Sequence, residues 1–317
     1  MQATDGVRVY EPAACLADFR RLCIGVLPAT EEAHHMLVTF LGTAASEGYP
    51  NAFCACGNCR EARSLGGSSL RKRSSALIDG ELLIDLGPDL MAAAQIHATP
   101  LDRIRYCLQT HHHEDHLDPA HFLSRSAYCG VTTAPVLEFY ASSPSLARIA
   151  AALQRHAPDG ALTGPEAEQK LNVRIRQVAS GQTFEVGPYR VTSIAATHAP
   201  EAMLFLIERE GRRLFYATDT GPLAEDAWRM LAAASGPIHA VALDHTFGDG
   251  ERSTGHLNAD QFIEQVTRMR AMGLLAGDAR VYAHHLAHHS NPSHPALTRR
   301  ATARGYDVAY DGLSVLV

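Results

Sequence analysis

The chain has 317 residues, 46% of them hydrophobic, which is enough to bury a sizeable core as one large domain or two. Its formal net charge of −6 at pH 7 argues against the broad basic surface that nucleic-acid binding requires. No apolar run reaches the roughly 18 residues of a membrane span, and residues 1–12 lack the apolar centre of a secretory signal. Seven cysteines, three of them clustered, fit a reducing compartment and metal binding better than disulfides, so a cytoplasmic location is expected.

Residues 1–35 are predicted to be an extension with a short helix over residues 13–27. One domain is predicted over residues 36–317, and it opens with the apolar strand Met36–Leu41. Two apolar runs that turn at Asp79-Gly80 predict a β-hairpin, because Asp-Gly favours the tight turn between antiparallel strands. Later strands are predicted over residues 104–108, 172–178, 183–186, 189–196, 203–208, 212–217, 238–243 and 279–283, with two short ones around 311–312, and helices over 88–97, 145–156, 223–234, 258–272 and 295–303.

The stretch after the apolar run 104–108 is rich in metal-binding side chains: residues 109–116 read Gln-Thr-His-His-His-Glu-Asp-His. Alternate residues of an extended segment point the same way, so His111 and His113 can bind one ion together. Asp115 and His116 follow where the chain turns and can face a second ion beside it. Imidazole and carboxylate ligands suit zinc, iron and manganese, which lower the pKa of a bound water molecule.

The alternative interpretation of this stretch is a solvated or adventitious run of histidines. Metal binding is preferred because further ligand-type residues recur at the predicted ends of later strands, which scattered core histidines would not do. These later residues are His198, Asp219, His245 and His285. The intervening His112 and Glu114 are predicted to face away from any metal, and His245 is given no role.

The pattern His-x-His-x-Asp-His at the end of a strand resembles the signature of the metallo-β-lactamase-fold hydrolases. The resemblance runs from about Met36 to Val317 and covers nearly the whole predicted domain. It implies an α+β fold, the four-layer αββα sandwich, in which two mixed sheets lie face to face with helices outside and metals at one edge. It also implies that Asp85 supports the ligand loop without binding metal.

Within this resemblance, seven side chains match the ligands of two catalytic divalent metals, zinc or manganese. They are His111, His113, Asp115, His116, His198, Asp219 and His285. Asp219 matches the carboxylate that bridges the two metals, and Asp115 is also assigned to the catalytic residues. A hydroxide bridging the metals is implied as the nucleophile. Without the family, His198 reads as a surface histidine and Asp219 as a turn-forming carboxylate.

A second group of metal-type residues lies earlier in the chain, where Cys54, Cys56 and Cys59 offer three thiolates within reach of one tetrahedral zinc. A closed structural site needs a fourth ligand, for which His288 is the candidate, three residues after His285. The combination resembles the cyclic phospho-ribose phosphodiesterases of bacterial phosphonate degradation, the carbon–phosphorus lyase pathway. That resemblance implies one structural zinc. The alternative is a set of unrelated buried thiols.

His256 is the remaining candidate catalytic residue, since it lies between a predicted strand and helix where those phosphodiesterases hold an active-site histidine. A histidine there can give a proton to the leaving alkoxide or bind a phosphate oxygen. The alternative is an ordinary residue of the loop before the helix cap.

The function predicted from these residues is hydrolysis of a small, cyclic or open, phosphodiester by a metal-dependent enzyme. Nucleic-acid and membrane partners are not expected, and the resemblance implies a homodimer. The alternatives are another hydrolase on the same fold (a thioesterase, a lactonase or an RNA-processing nuclease) and a non-hydrolytic protein related to PQQ-biosynthesis B. The PQQ proteins share the cysteine motif but lack the full histidine pattern, whereas this chain has both.

Overall fold

The structure is a computed structural model that describes residues 35–154 and 165–317. The helix predicted over residues 13–27 lies outside the described residues. The described strands are β1 (Leu37–Gly42), β2 (Ser75–Ile78), β3 (Leu82–Ile84), β4 (Tyr106–Leu108), β5 (Leu137–Ala141), β6 (Val173–Gln177), β7 (Thr183–Val186), β8 (Tyr189–Ala195), β9 (Met203–Arg209), β10 (Arg212–Ala217), β11 (Ile238–Asp244), β12 (Leu275–His284), β13 (Asp307–Val308) and β14 (Ser314–Leu316). The described α-helices are α1 (Gly57–Leu65), α2 (Leu90–Ile96), α3 (Ala120–Ser124), α4 (Ser143–Leu153), α5 (Pro165–Leu171), α6 (Glu225–Ala233), α7 (Ala259–Ala271) and α8 (His294–Ala303).

The described strands form two seven-stranded sheets, each with antiparallel pairs on one side and parallel pairs on the other. The first sheet has the order β14-β1-β2-β3-β4-β5-β6 and the second the order β13-β12-β11-β10-β9-β8-β7. In the first sheet the pairs from β14 to β3 are antiparallel and those from β3 to β6 are parallel. The second sheet pairs antiparallel from β7 to β10 and parallel from β10 to β13. Parallel neighbours end at the same edge of a sheet, and that edge carries the predicted ligands.

Apolar residues alternate along the strands and divide into three buried layers. Phe40 of the first sheet and Tyr216 of the second belong to the layer between the sheets. The outer face of the first sheet buries Phe139 against its helices, and the outer face of the second buries Phe215 against Trp228 of α6 and its neighbours. The predicted α+β fold, a four-layer αββα sandwich, is therefore confirmed.

Local sequence signals explain several element boundaries. The predicted turn between β2 and β3 has left-handed backbone at Asp79 (φ 52°) and Gly80 (φ 74°), as a tight hairpin requires. Asn258 caps α7 in a capping box, with its side chain accepting from the backbone N–H of Gln261.

Strand β5 and helices α1, α3 and α5 were not predicted, since each is short and lies in a stretch without sustained periodicity. The two short strands at the C-terminus belong to different sheets, so the chain crosses the edge of the sandwich between them. Of the helices over 35–154 and 165–317, none has the length and apolar character needed to cross a bilayer.

Candidate functional site

The seven predicted ligands come together at one edge of the sandwich and are called here the strand-end cluster. Four follow β4, and one each follows β8, β10 and β12. In that order they are His111, His113, Asp115 and His116, then His198, Asp219 and His285. Most are buried, because the loops that carry them fold over the strand ends.

The first half of the strand-end cluster consists of His111, His113, His198 and Asp219, whose ligand atoms all lie within 4.8 Å of one another. Nε2 of His198 is 3.1 Å from Nδ1 of His113, and Nε2 of His111 is 3.3 Å from Oδ2 of Asp219. The alternate histidines His111 and His113 therefore place their ring nitrogens in one group with His198 and Asp219.

The second half joins Asp115, His116 and His285 to the same Asp219, again within 4.8 Å. Oδ1 of Asp219 is 2.7 Å from Nε2 of His285, and its Oδ2 is 3.1 Å from Nε2 of His116. One carboxylate thus faces both halves with different oxygens. This is the geometry of a bridging ligand.

Two of the ligand positions need unusual backbone. Asp219 has φ 55° and His285 has φ 57°, both in the left-handed region that residues other than glycine seldom adopt. Such conformations persist where the surrounding structure over-determines them, and they are concentrated at functional sites. Here they turn each side chain back toward the cluster at the point where its strand ends.

The ring nitrogens that face away from the cluster are held by fixed partners. Nδ1 of His116 donates to the buried carboxylate of Asp85 at 2.6 Å, and Nδ1 of His198 donates to the carbonyl of Gly255 at 3.1 Å. Nδ1 of His285 lies 2.8 Å from the hydroxyl of Thr246. Such partners fix the tautomer and orientation of metal-binding histidines. The contacts of Asp85 match the supporting role that the resemblance implied.

The electrostatics of the cluster fit cations. Burial and the neighbouring His116 lower the pKa of His111 to about 3, which keeps this imidazole neutral and able to act as a ligand. Although burial opposes its charge, the histidines around Asp219 hold the pKa of that carboxyl well below its usual range. Nε2 of His111 is buried and has no hydrogen-bond partner among the described residues. This set of nitrogen and oxygen donors fits two divalent ions of the zinc or manganese type.

The structure brings together Cys54, Cys56, Cys59 and His288, called here the Cys3His cluster, with their four ligand atoms within 4.8 Å of one another. Nδ1 of His288 is 3.3 Å from Sγ of Cys59 and 3.7 Å from Sγ of Cys56. Tetrahedral zinc with ordinary bond lengths separates sulfur and nitrogen ligands by about 3.6 Å. The cluster therefore fits a structural zinc, and it joins the start of α1 to the loop that carries His285.

His256 lies at the rim of the strand-end cluster. Its ring is stacked on His285 with centroids 5.5 Å apart, and it lies 4.7 Å from the ring of His198. Nδ1 of His256 donates to Oδ2 of the fully buried Asp244 at 2.8 Å. Burial opposes a charge on this ring, but Asp244 outweighs it and raises the pKa of His256 above its ordinary value.

Asp244 and Thr246 are the functional candidates that sequence reasoning missed. The predicted strand end drew attention to His245, yet that ring is turned into the core, where it bonds Asn291 and Tyr306 at 2.9 and 3.1 Å. Asp244 and Thr246, on either side of His245 in the chain, face the strand-end cluster instead. Alternation of side chains along β11 indicates that Asp244 and His245 face opposite sides of the sheet, but both sides are apolar, so it does not indicate which residue faces the cluster.

Two residues of the histidine run lie outside the strand-end cluster. Glu114 is exposed and pairs with Arg148 at 2.6 Å. His112 is half-buried and is absent from both groups of ligand atoms.

Comparison with known proteins agrees with the fold. The chain belongs to the β-lactamase superfamily, whose domain model matches residues 81–285. The fold and the family together define a metallo-β-lactamase-fold hydrolase. No curated protein matches the sequence.

Several solved structures share the fold at low sequence identity. A structure described as a new diphosphatase from the PhnP family has a TM-score of 0.67 at 20% identity, covering 88% of this chain and 97% of its own. Zinc-bound PqqB from Methylobacterium extorquens has a TM-score of 0.65 at 23% identity, with 88% and 99% covered. Human tRNase Z, short form, has a TM-score of 0.55 at 18% identity, with 88% and 98% covered.

Proposed function

We propose that the chain is a metal-dependent phosphodiesterase that hydrolyses small phosphodiesters, cyclic ones included. The observation that carries this proposal is the pair formed by His256 and Asp244 at the rim of the strand-end cluster. Hydrolysis of an alkyl phosphodiester needs activation of water and protonation of a poor leaving group, the alkoxide. The cluster and the histidine at its rim are suited to these two tasks.

His111, His113 and His198 would hold one divalent ion, Asp115, His116 and His285 a second, and Asp219 would contact both. When bound, such a pair of ions supplies positive charge that activates water and offsets the charge growing on phosphate oxygens. The buried partners of the histidines hold these ligands in place before a substrate arrives. Such preorganisation is how a protein stabilises a transition state without rearranging itself.

His256 would act on the leaving group. Because Nδ1 is committed to Asp244, the proton available to a substrate is the one on Nε2. Although burial opposes a charge on this ring, Asp244 raises the pKa of His256, which favours the protonated form that a proton donor needs. Donation from Nε2 to an alkoxide oxygen would leave a neutral ring whose Nδ1–H still bonds the carboxylate of Asp244.

The Cys3His cluster would hold a structural zinc, which gives three metals in all. We further propose that the protein acts in the cytoplasm, on a small substrate rather than a nucleic acid, in keeping with the net charge of −6. The homodimer stays a prediction.

A second candidate reaction is cleavage of a diphosphate, because one of the similar structures is described as a diphosphatase. Phosphate is a better leaving group than an alkoxide, so this reaction would rely less on His256. Thioesterase, lactonase, nuclease and PqqB-like binding roles use the same fold and remain competing hypotheses.

The test is a substrate panel with protein loaded with zinc or manganese and with metal content measured beforehand. The panel holds bis-p-nitrophenyl phosphate, a cyclic ribose phosphate, a diphosphate ester, a thioester and a lactone. Turnover highest on the phosphodiesters, together with two to three metals per chain, is the expected result. Faster hydrolysis of the thioester or lactone would contradict the proposal, and faster cleavage of the diphosphate would favour the second candidate.

A further inference from the structure

Glu47 lies beside the Cys3His cluster and belongs to neither predicted group of ligands. Its Oε1 is buried and has no hydrogen-bond partner among the described residues, while its Oε2 accepts from the hydroxyl of Ser46 at 3.3 Å. Leaving a carboxylate oxygen buried without a partner is costly, so such an atom calls for an explanation.

The ring of His288 is a candidate partner for this oxygen. Nδ1 of this ring faces the thiols of Cys56 and Cys59, and the opposite nitrogen, Nε2, lies 3.8 Å from Oε1 of Glu47. A neutral imidazole that offers Nδ1 as a ligand must carry its proton on Nε2. The N–H of the ring therefore faces the oxygen that lacks a partner.

The backbone holds the two side chains in this relation. The N–H of Leu286 donates to the carbonyl of Thr43, and the N–H of Ala45 donates to the carbonyl of Leu286, at 2.9 and 3.1 Å. Asn58 of α1 donates to the carbonyl of His288 at 2.9 Å. The loop that carries Glu47 is therefore hydrogen-bonded through its backbone to the loop that carries His288.

We propose that Glu47 is a positioning residue for the structural zinc, with its carboxylate facing Nε2–H of His288 at 3.8 Å, a distance within ion-pair range but longer than a hydrogen bond. The inference rests on the proposed zinc site. A carboxylate in this place fixes the tautomer of the ring, makes Nδ1 a stronger donor and adds negative charge that favours the cation. Loss of such a partner typically weakens metal binding by roughly 10- to 100-fold.

The test measures how tightly the Cys3His cluster holds metal, without reference to enzyme activity. Cobalt replaces zinc as the probe, because absorption from thiolate–cobalt bonds reports this cluster and not the strand-end cluster. Glu47→Ala is expected to weaken cobalt binding, and to speed zinc loss to a chelator, by about 10- to 100-fold. Glu47→Gln keeps an acceptor oxygen but loses the charge, so its effect should be intermediate.

Glu61→Ala is the matched control, since Glu61 stands on α1 beside the cluster but bonds Ser293 at 2.9 Å. It should bind cobalt as the unchanged protein does. If Glu47→Ala also matches the unchanged protein, the role of Glu47 is overturned while the zinc site stands. If the unchanged protein gives no thiolate–cobalt absorption, the zinc site itself is wrong, and the inference falls with it. Should the alanine variant fold poorly, the glutamine variant decides the question in the same assay.

Discussion

The two candidate metal sites are built in different ways. The ligands of the strand-end cluster follow buried strands, and their rings are held from behind by groups such as Asp85 and Thr246. The Cys3His cluster lies on a loop and the first turn of α1, and its polar contacts run largely among the ligands themselves, such as the N–H of Cys59 to Sγ of Cys56 at 3.4 Å. The ligands of the first site are therefore held by surrounding groups of the fold, whereas those of the second mainly contact one another.

The two clusters also differ in how the charges of their side chains are balanced. In the strand-end cluster, the negative charges of the carboxylates are offset by the histidines. Although burial opposes a charge on His285, Asp219 and Asp115 raise its pKa to about 10. In the Cys3His cluster the backbone N–H of Cys59 and the ring of His288 lower the pKa of Cys56 to about 6, while burial raises that of Cys59 to about 12. Three cysteines this close together can all be thiolates only when a cation lies among them. Changes in the two clusters should therefore damage different properties of the protein.

The largest effect is expected from Asp219→Ala, because this carboxylate faces both halves of the strand-end cluster. Activity should fall by more than about 10³-fold, the upper end for one preorganised charged group. Metal analysis should find the catalytic ions depleted and the thiolate-bound zinc retained. Glu114→Ala removes an exposed carboxylate from the same loop and should change neither quantity. Full catalytic metal content in Asp219→Ala would exclude the bridging role.

Cys56→Ser should act on stability. Binding energy at a closed metal site is also folding energy, so loss of one zinc should lower the stability, and Tm should fall by roughly 2–4 °C for each kcal/mol lost. Thermal melting and metal analysis would measure both. Cys129→Ser, an exposed cysteine outside the cluster, is the control and should be silent. Unchanged stability with unchanged zinc in Cys56→Ser would mean that the cluster is not a structural site.

His256→Ala tests the proposed proton donor and should leave both catalytic ions bound. Turnover of an alkyl phosphodiester should fall by about 10²-fold or more. The loss should shrink on p-nitrophenyl esters, because that leaving group needs no proton. Equal losses on both substrates would leave His256 as a phosphate-binding residue, and loss of metal would make it a ligand.

The layered fold and the members of both clusters could be predicted from the sequence. Ligands at strand ends and closely spaced cysteines are visible as local sequence patterns. Prediction from the sequence failed where long-range packing decides the outcome. Whether Asp244 or His245 faces the site depends on the register of β11 between β10 and β12, and no local pattern fixes that register. Likewise, the contact of Glu47 with His288 joins residues far apart in the chain.

The smallest expected effect belongs to Thr246, a residue that only the structure reveals. Its hydroxyl oxygen lies 2.8 Å from Nδ1 of His285 and 3.1 Å from Nδ1 of His256. Thr246→Val keeps the shape but leaves Nδ1–H of His285 without an acceptor, so metal binding at the second half of the strand-end cluster should weaken about tenfold. Titration of metal-depleted protein with zinc, followed by activity at saturating zinc, separates this loss from a defect in His256. Thr246→Ser restores the hydroxyl and should bind as tightly as the unchanged protein. If serine fails as badly as valine, the methyl group and its packing matter rather than the hydrogen bond. If Thr246→Val binds zinc normally, the backbone at the end of β12 holds His285 in place without the hydroxyl of Thr246. The strand-end cluster would then depend on the strands themselves more than on the side chains behind its ligands.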